Sequence, residues 1–267
     1  MPPVPPTNRP HDHIRYEIAD GIGVVTLDRP EARNALTLEM YDGLAEIARS
    51  IAPDGDVKVL VFTGAGEKAF AAGTDISVFR DFGTRERALD YETHMDEVLG
   101  AIERCAVPTI AAIAGACTGG GAAIAACCDL RVATRDMRFG FPIARTLGNC
   151  LSITNLSRLT ALIGAGRTRE ILFTARLIGG EEALATGLVS ELFDTHAAMM
   201  SGARALAGKL MGHAPLTLRA TKEAMRRMSQ DRGADDADLI AMCYTSEDFR
   251  EGLTSFLAKR PPRWTGH

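Results

Sequence analysis

A chain of 267 residues, 46% hydrophobic and with a formal net charge of −4, suits one soluble globular unit with a sizeable core. Its 30 lysines and arginines are scattered among 34 acidic residues, which argues against a nucleic-acid partner, and no apolar stretch is long and uninterrupted enough for a membrane span. Six cysteines (Cys105, Cys117, Cys127, Cys128, Cys150, Cys243) lack metal-type spacing and follow no leader peptide, so reduced thiols, a cytoplasmic location and no metal site are expected.

The first segment, with Pro2, Pro3, Pro5 and Pro6, predicts a flexible arm over residues 1–13. Two alternating runs, 14–18 and 22–27, are separated by Asp20-Gly21 and predict a β-hairpin. Leu36, Met40, Leu44 and Ile47 recur at helical spacing, with Thr37 placed to cap the start and Pro53 near the end. "VKVLVFTG" reads as a buried strand, followed by the loop "AGEKAFAAGTDISVF" and a long amphipathic helix over 85–103. "PTIAAIAG" is the next strand; a glycine-led apolar helix and the strand "LRVATRD" come after it. This strand–helix alternation predicts an α/β core over 14–200, and the helical patterns beyond predict a C-terminal lobe over 201–267, too small to be stable alone.

The glycines of "GACTGGGAAIAACCDLR" match neither the phosphate-loop spacing nor the dinucleotide fingerprint. They do sit where a strand ends and a helix begins, so the helix's first N–H groups are left without partners and favour negative charge. Tight helix–sheet packing explains three glycines equally well. A second loop, "EKAFAAGTDI", also follows a buried strand and brings Gly73 before Thr74 and Asp75, the latter a candidate helix cap. Two such loops supply two N–H donors, enough for an oxyanion hole.

Five segments together resemble the crotonase (enoyl-CoA hydratase/isomerase) superfamily: "LDRPEARNAL", "KAFAAGTDI", "PTIAAIAGACTGGGAAIAACCDLRVA", "ALATGLVSELF" and "FLAKR", in the family's order and spacing. The resemblance implies a spiral of β-β-α turns with a C-terminal helical lobe that builds homotrimers or dimers of trimers. The implied ligand is an acyl-CoA thioester, with coenzyme A part of the substrate and no tightly bound cofactor. It also implies that the backbone N–H groups of Thr74 and Gly120 form the oxyanion hole, so that the side chain at 74 matters little. Coenzyme A contacts would come from Ala32, Arg33 and Ala35, from Ala71, Ala72, Asp75 and Ile76, and, across a subunit boundary, from Phe256 and Lys259.

Hydratases of this family carry two glutamates that move protons, and the matching positions here are Ala123 and Ile143. Neither side chain transfers a proton, so a conventional hydration route loses a factor of roughly 10² to 10⁴. Replacement candidates lie in the loop around "IARTLGNCLS": Arg145, whose planar cation can grip a carboxylate or oxyanion, and Cys150, a thiol without a nearby histidine to activate it. Glu92, His94 and Asp96 read as the solvated face of the long helix, although the resemblance implies that this helix borders the acyl pocket, and Asp129 reads as a partner of neighbouring backbone. The expected function is therefore acyl-CoA processing through a stabilised thioester enolate. Decarboxylation, thioester hydrolysis, C–C cleavage and non-catalytic acyl-CoA binding stand as alternatives.

Overall fold

Asp20 and Gly21 both hold positive φ, 52° and 78°, as a two-residue hairpin turn requires. They join β2 (Ile14–Ala19) to β3 (Ile22–Leu27) with Ile14 opposite Leu27 and Ala19 opposite Ile22. The structure is a computed structural model and describes residues 8–79, 84–230, 238, 242 and 245–267. Within the expected arm, β1 (Asn8–His11) pairs antiparallel with β2; residues 1–7 lie outside the described residues.

From β3 onward the chain winds in repeated turns. β4 (Val59–Gly64), β6 (Thr109–Ile113), β8 (Leu130–Thr134) and β11 (Leu192–Phe193) extend the first sheet in parallel, giving the order β1-β2-β3-β4-β6-β8-β11. Between them β5 (Ala69–Ala71), β7 (Ala116–Thr118) and β9 (Arg138–Gly140) line up parallel in a second sheet, closed by antiparallel β10 (Ile178–Gly179). Each pair of strands leads into a helix: α2 (Arg85–Glu103), α3 (Gly120–Cys127) and α4 (Ile153–Thr174). This is the expected β-β-α spiral. Helix α1 (Leu38–Ser50) starts at Thr37, whose hydroxyl accepts the Met40 N–H, so the predicted cap is the one used.

All six residues of β4 are buried because both sheet faces are covered. On one side lie Leu27, Leu44, Phe62, Phe70 and Phe139, all at most 1% exposed. On the other, Val59, Val61, Ile110, Ala112 and Val132 pack against Met199, Ala203 and Ala207 of α6 (His196–Met211). A boundary at residue 200 therefore falls inside a helix of the core. The switch to helices in the sequence marks local structure, whereas α6 belongs to the sheet whose apolar face it covers. Beyond short α5 (Gly180–Ala185) and α6, the lobe includes, among the described residues, α7 (Pro215–Gln230) and α8 (Glu247–Ala258). Lys222 of α7 ties it to the core through Asp129 (2.7 Å) and the Val107 carbonyl (3.1 Å). The Trp264 indole donates to the Gly212 carbonyl, and Asp248 accepts from the backbone of Thr265 and Gly266.

Candidate active site

The two glycine loops meet. Gly119 has φ 53° and ψ −120°, open only to glycine, and turns the chain from β7 into α3. Its N–H donates to the Gly140 carbonyl, and the Thr118 hydroxyl donates to the Ala72 carbonyl at 2.9 Å, lacing the loops together. A Cβ on Gly73 would sit 3.4 Å from the Thr118 oxygen and 4.0 Å from the Gly120 nitrogen; one on Gly120 would collide with the Tyr41 hydroxyl at 1.8 Å. Close backbone approach, more than helix packing alone, is what these glycines permit.

The local hydrogen bonding orients both amides. Leu36 N–H donates to Gly73 O and Asp75 N–H donates to Leu36 O, the pattern of a parallel bridge between Leu36 and Thr74. In that pattern Thr74's own N–H points away from Leu36. Gly120 is the first residue of α3, where an N–H has no intrahelical acceptor. Residues 74 and 120 both line a cavity of about 440 Å³. The far end of α3 is held by buried Arg131, which donates to the carbonyls of Ala125, Cys128 and Leu188. Fixing that end fixes where Gly120 points.

The segment around residues 29–36 is brought against the same loop. Asn34 is fully buried at φ 55°; its amide donates to Ala65 O and Ala69 O, and its carbonyl accepts the Arg29 N–H. Ala72 N–H donates to Arg33 O. Arg29 reaches the Ala35 carbonyl and, at 2.5 Å, the Asp75 carboxylate. Asp75 also accepts from the Ser77 hydroxyl and N–H, at the start of the 3-10 helix Ile76–Phe79. The Ser77 donors, together with Arg29, hold the Asp75 carboxyl well below the usual range, so it is a cap and a charge rather than a proton carrier.

Of the residues expected along a bound coenzyme A, Ala72 and Ile76 line the cavity, while Ala32, Arg33 and Ala35 lie on the segment bonded to that loop. Ala71 is fully buried in β5, so its side chain is closed to any ligand. Lys259 is exposed after α8 and is not among the cavity residues; the Phe256 side chain lies outside the described residues.

Ala123 and Ile143 both face the cavity. Cys150 lines it too and is exposed, whereas Cys105, Cys117, Cys127 and Cys128 are buried; burial pushes the Cys127 thiol up to about 12. Cys243 lies outside the described residues. Arg145 does not join the site. It ends the 3-10 helix Pro142–Ala144 with its side chain exposed and is not among the lining residues, whereas Ile143, Thr146 and Asn149 are. No histidine, lysine or arginine among the described residues lines the cavity.

Two features escape a sequence reading. The Thr74 hydroxyl bonds to the hydroxyls of Tyr41 (2.9 Å) and Tyr91 (3.2 Å), so its side chain is not idle. Burial raises both phenols and keeps them neutral. The second is Glu92, expected on a solvated face. It stands with Tyr91, Met95 and Leu99 on the face of α2 turned to the cavity, while His94 pairs outward with Asp42. The signal was present: residues 92, 95 and 99 follow helical spacing, so Glu92 is a carboxylate on an otherwise apolar stripe.

A model of the enoyl-CoA hydratase/isomerase family matches residues 17–267. The chain belongs to that family. It is 34% identical over 253 residues to the short-chain-enoyl-CoA hydratase of Clostridium acetobutylicum, covering 93% of this chain and 96% of that protein. It is likewise 34% identical over 257 residues to the (E)-benzylidenesuccinyl-CoA hydratase of Thauera aromatica, covering 95% and 99%. Among solved structures, an enoyl-CoA hydratase/carnithine racemase from Magnetospirillum magneticum superposes with a TM-score of 0.87 at 35% identity, over 96% of each chain. The spiral core is thus a crotonase fold, and the chain is an acyl-CoA-processing member of the enoyl-CoA hydratase/isomerase family. Because the family spans hydratase and isomerase chemistry, the reaction has to be argued from the cavity itself.

Proposed function

We propose that this family member binds an acyl-CoA thioester with its carbonyl oxygen between the N–H groups of Thr74 and Gly120, and stabilises the enolate or tetrahedral anion that forms there. The observation that supports this most is the meeting of the two glycine loops, which brings residues 74 and 120 to the same cavity. Donors fixed before charge develops are the strongest lever such a site has; losing one commonly costs about 3 kcal/mol of barrier. The 3′ and pantetheine portions of coenzyme A would run along residues 32–35 and 72–76, with Arg33 exposed as a phosphate partner.

Subunits would associate through the C-terminal lobe into trimers or pairs of trimers, bringing Phe256 and Lys259 to a neighbour's coenzyme A. Support comes from Met225 and Met228, both 67% exposed on α7, and Phe249, 46% exposed on α8.

Ala123 and Ile143 make two-glutamate water addition a poor fit, so an enolate reaction needing less proton machinery is favoured. Calorimetric binding of coenzyme A esters, run beside turnover of crotonyl-, malonyl- and aryl-CoA, tests the reading. Binding with turnover of any of them supports it. Binding with no turnover makes the protein an acyl-CoA binder, and absence of binding removes coenzyme A from its function altogether. A bound aryl-CoA should also show its thioester carbonyl stretch shifted to lower frequency, and an unshifted band would speak against the two amides as donors.

A further inference from the structure

Among the described residues lining the cavity, Glu92 is the sole ionised-type side chain. Tyr41 and Tyr91 are joined through Thr74 and held neutral by burial, and the Cys150 thiol lines the cavity from the loop at 142–151. No described residue donates a hydrogen bond or an ion pair to the Glu92 carboxylate, although its neighbour one turn on, Asp96, is held by the Ser152 and Thr154 hydroxyls. A half-buried carboxylate beside a second acid and without a cation destabilises a fold. Such a residue fits a proton-transfer role better than a structural one.

Its place in the fold fits that role. The Tyr91 hydroxyl reaches Thr74 at 3.2 Å, so this turn of α2 lies directly over the loop that carries the Thr74 amide. Tyr41, whose hydroxyl occupies the space beside Gly120, is close enough to feel the Glu92 charge. Thr74, Gly120 and Glu92 line one cavity, so a thioester whose oxygen sat between the amides of residues 74 and 120 would share that cavity with the carboxylate.

Resting on the acyl-CoA reading above, we infer that Glu92 is the catalytic base that removes and returns the α-proton of the bound thioester, the role left vacant by Ala123 and Ile143. In the step, the α C–H bond breaks and its proton passes to a Glu92 oxygen. The electron pair moves into the C1–C2 bond, and the carbonyl electrons move onto the oxygen held by the two amides. Return of the same proton to the α-carbon gives exchange; its delivery to the γ-carbon of a 3-enoyl thioester shifts the double bond. One carboxylate that alternates between base and acid suffices for this, with no second glutamate and no added reactant. The class of reaction this favours is double-bond isomerisation.

The titratable groups that feel Glu92 are Asp96 and Tyr91 on its own helix and Tyr41 from α1, and Cys150 lines the same cavity. Burial first, and Asp96 second, push the Glu92 carboxyl above its ordinary value. Exchange, which needs the carboxylate, should therefore rise with pH through a midpoint above that of a free glutamate. Because the native state favours the protonated form, removing the charge should hold or raise thermal stability near neutral pH.

The test follows butyryl-CoA in D2O by proton NMR, with its binding measured by calorimetry on the same samples. The wild-type protein should wash out the α-protons. Glu92→Gln should slow this about a hundredfold or more while binding butyryl-CoA within a few-fold of wild type and melting no lower, and Glu97→Gln, on the exposed face of α2, should exchange normally. Glu92→Ala provides a second variant, whose exchange should be partly restored by added formate. Wild-type exchange rates in Glu92→Gln, or a wild-type protein that binds butyryl-CoA and leaves its α-protons in place, would overturn the assignment. No binding of butyryl-CoA or other CoA esters by the wild-type protein would instead remove the acyl-CoA reading, and Glu92's role with it.

Discussion

Thr74 does two things at once: it lines the cavity, and its hydroxyl is the partner of a tyrosine that is 1% exposed. Thr74→Ala strands the Tyr41 hydroxyl in the core, which should lower stability by about 1–3 kcal/mol in chemical denaturation. Tyr41→Phe removes the stranded group, so adding it to Thr74→Ala should recover much of the loss. Ala123 and Ile143 raise the complementary question of what the cavity would do if refitted. Ala123 lies one turn into α3 from Gly120, and Ile143 lines the same cavity. Ala123→Glu with Ile143→Glu should raise crotonyl-CoA hydration by roughly 10²-fold, the usual worth of general acid–base catalysis. An unchanged rate, with the fold and thioester binding intact, would mean that the pocket's shape has diverged along with its side chains.

At the scale of elements, the site depends on how α3 and α2 are clamped. Arg131 grips the carbonyl end of α3, and Asp129 just beyond it accepts the Thr109 N–H and hydroxyl and the Lys222 ammonium. Asp129 was legible as a backbone partner, because a short acceptor after an apolar helix has few other uses. Lys222, from far along the chain, was not. Lys222→Met should destabilise the protein by about 1–3 kcal/mol, seen as a lower melting midpoint, since the partly buried Asp129 loses its cation and the Val107 carbonyl its donor. A double-mutant cycle with Asp129→Asn should show coupling between the two positions. Helix α2 shows the other kind of limit. Its span was readable, and the structure has it at Arg85–Glu103; the cap, Thr84 accepting the Arg87 N–H, came from the structure. Helical spacing put Glu92 on one stripe with Met95 and Leu99, but that this stripe lines a cavity depends on where the loop at 142–151 comes to rest.

For the whole molecule, the exposed methionines of α7 and the exposed Phe249 of α8 leave apolar surface that a second copy of the chain would cover. Sedimentation velocity should find trimers or larger closed assemblies, and Met225→Glu with Met228→Glu should shift them toward monomer. If the wild-type chain sediments as a monomer at micromolar concentration, both the proposed assembly and the delivery of Lys259 to a neighbour's ligand fail.

The sequence alone determined what is local. The Asp20-Gly21 turn, the Thr37 cap, the period of α1 and α2, and the glycines at 73 and 119–121 each state a backbone requirement that few residue types satisfy. The recurrence of strand and helix was enough to anticipate an α/β core, and the resemblance to the crotonase family supplied the spiral. Tertiary structure decided what depends on contacts between distant segments: that α6 belongs to the core sheet, that Arg145 turns to solvent, that Ala71 is sealed, and that Glu92 faces inward. Periodicity reports which residues share a face, but burial is set by what arrives opposite that face, and the arriving partner lies tens of residues away along the chain.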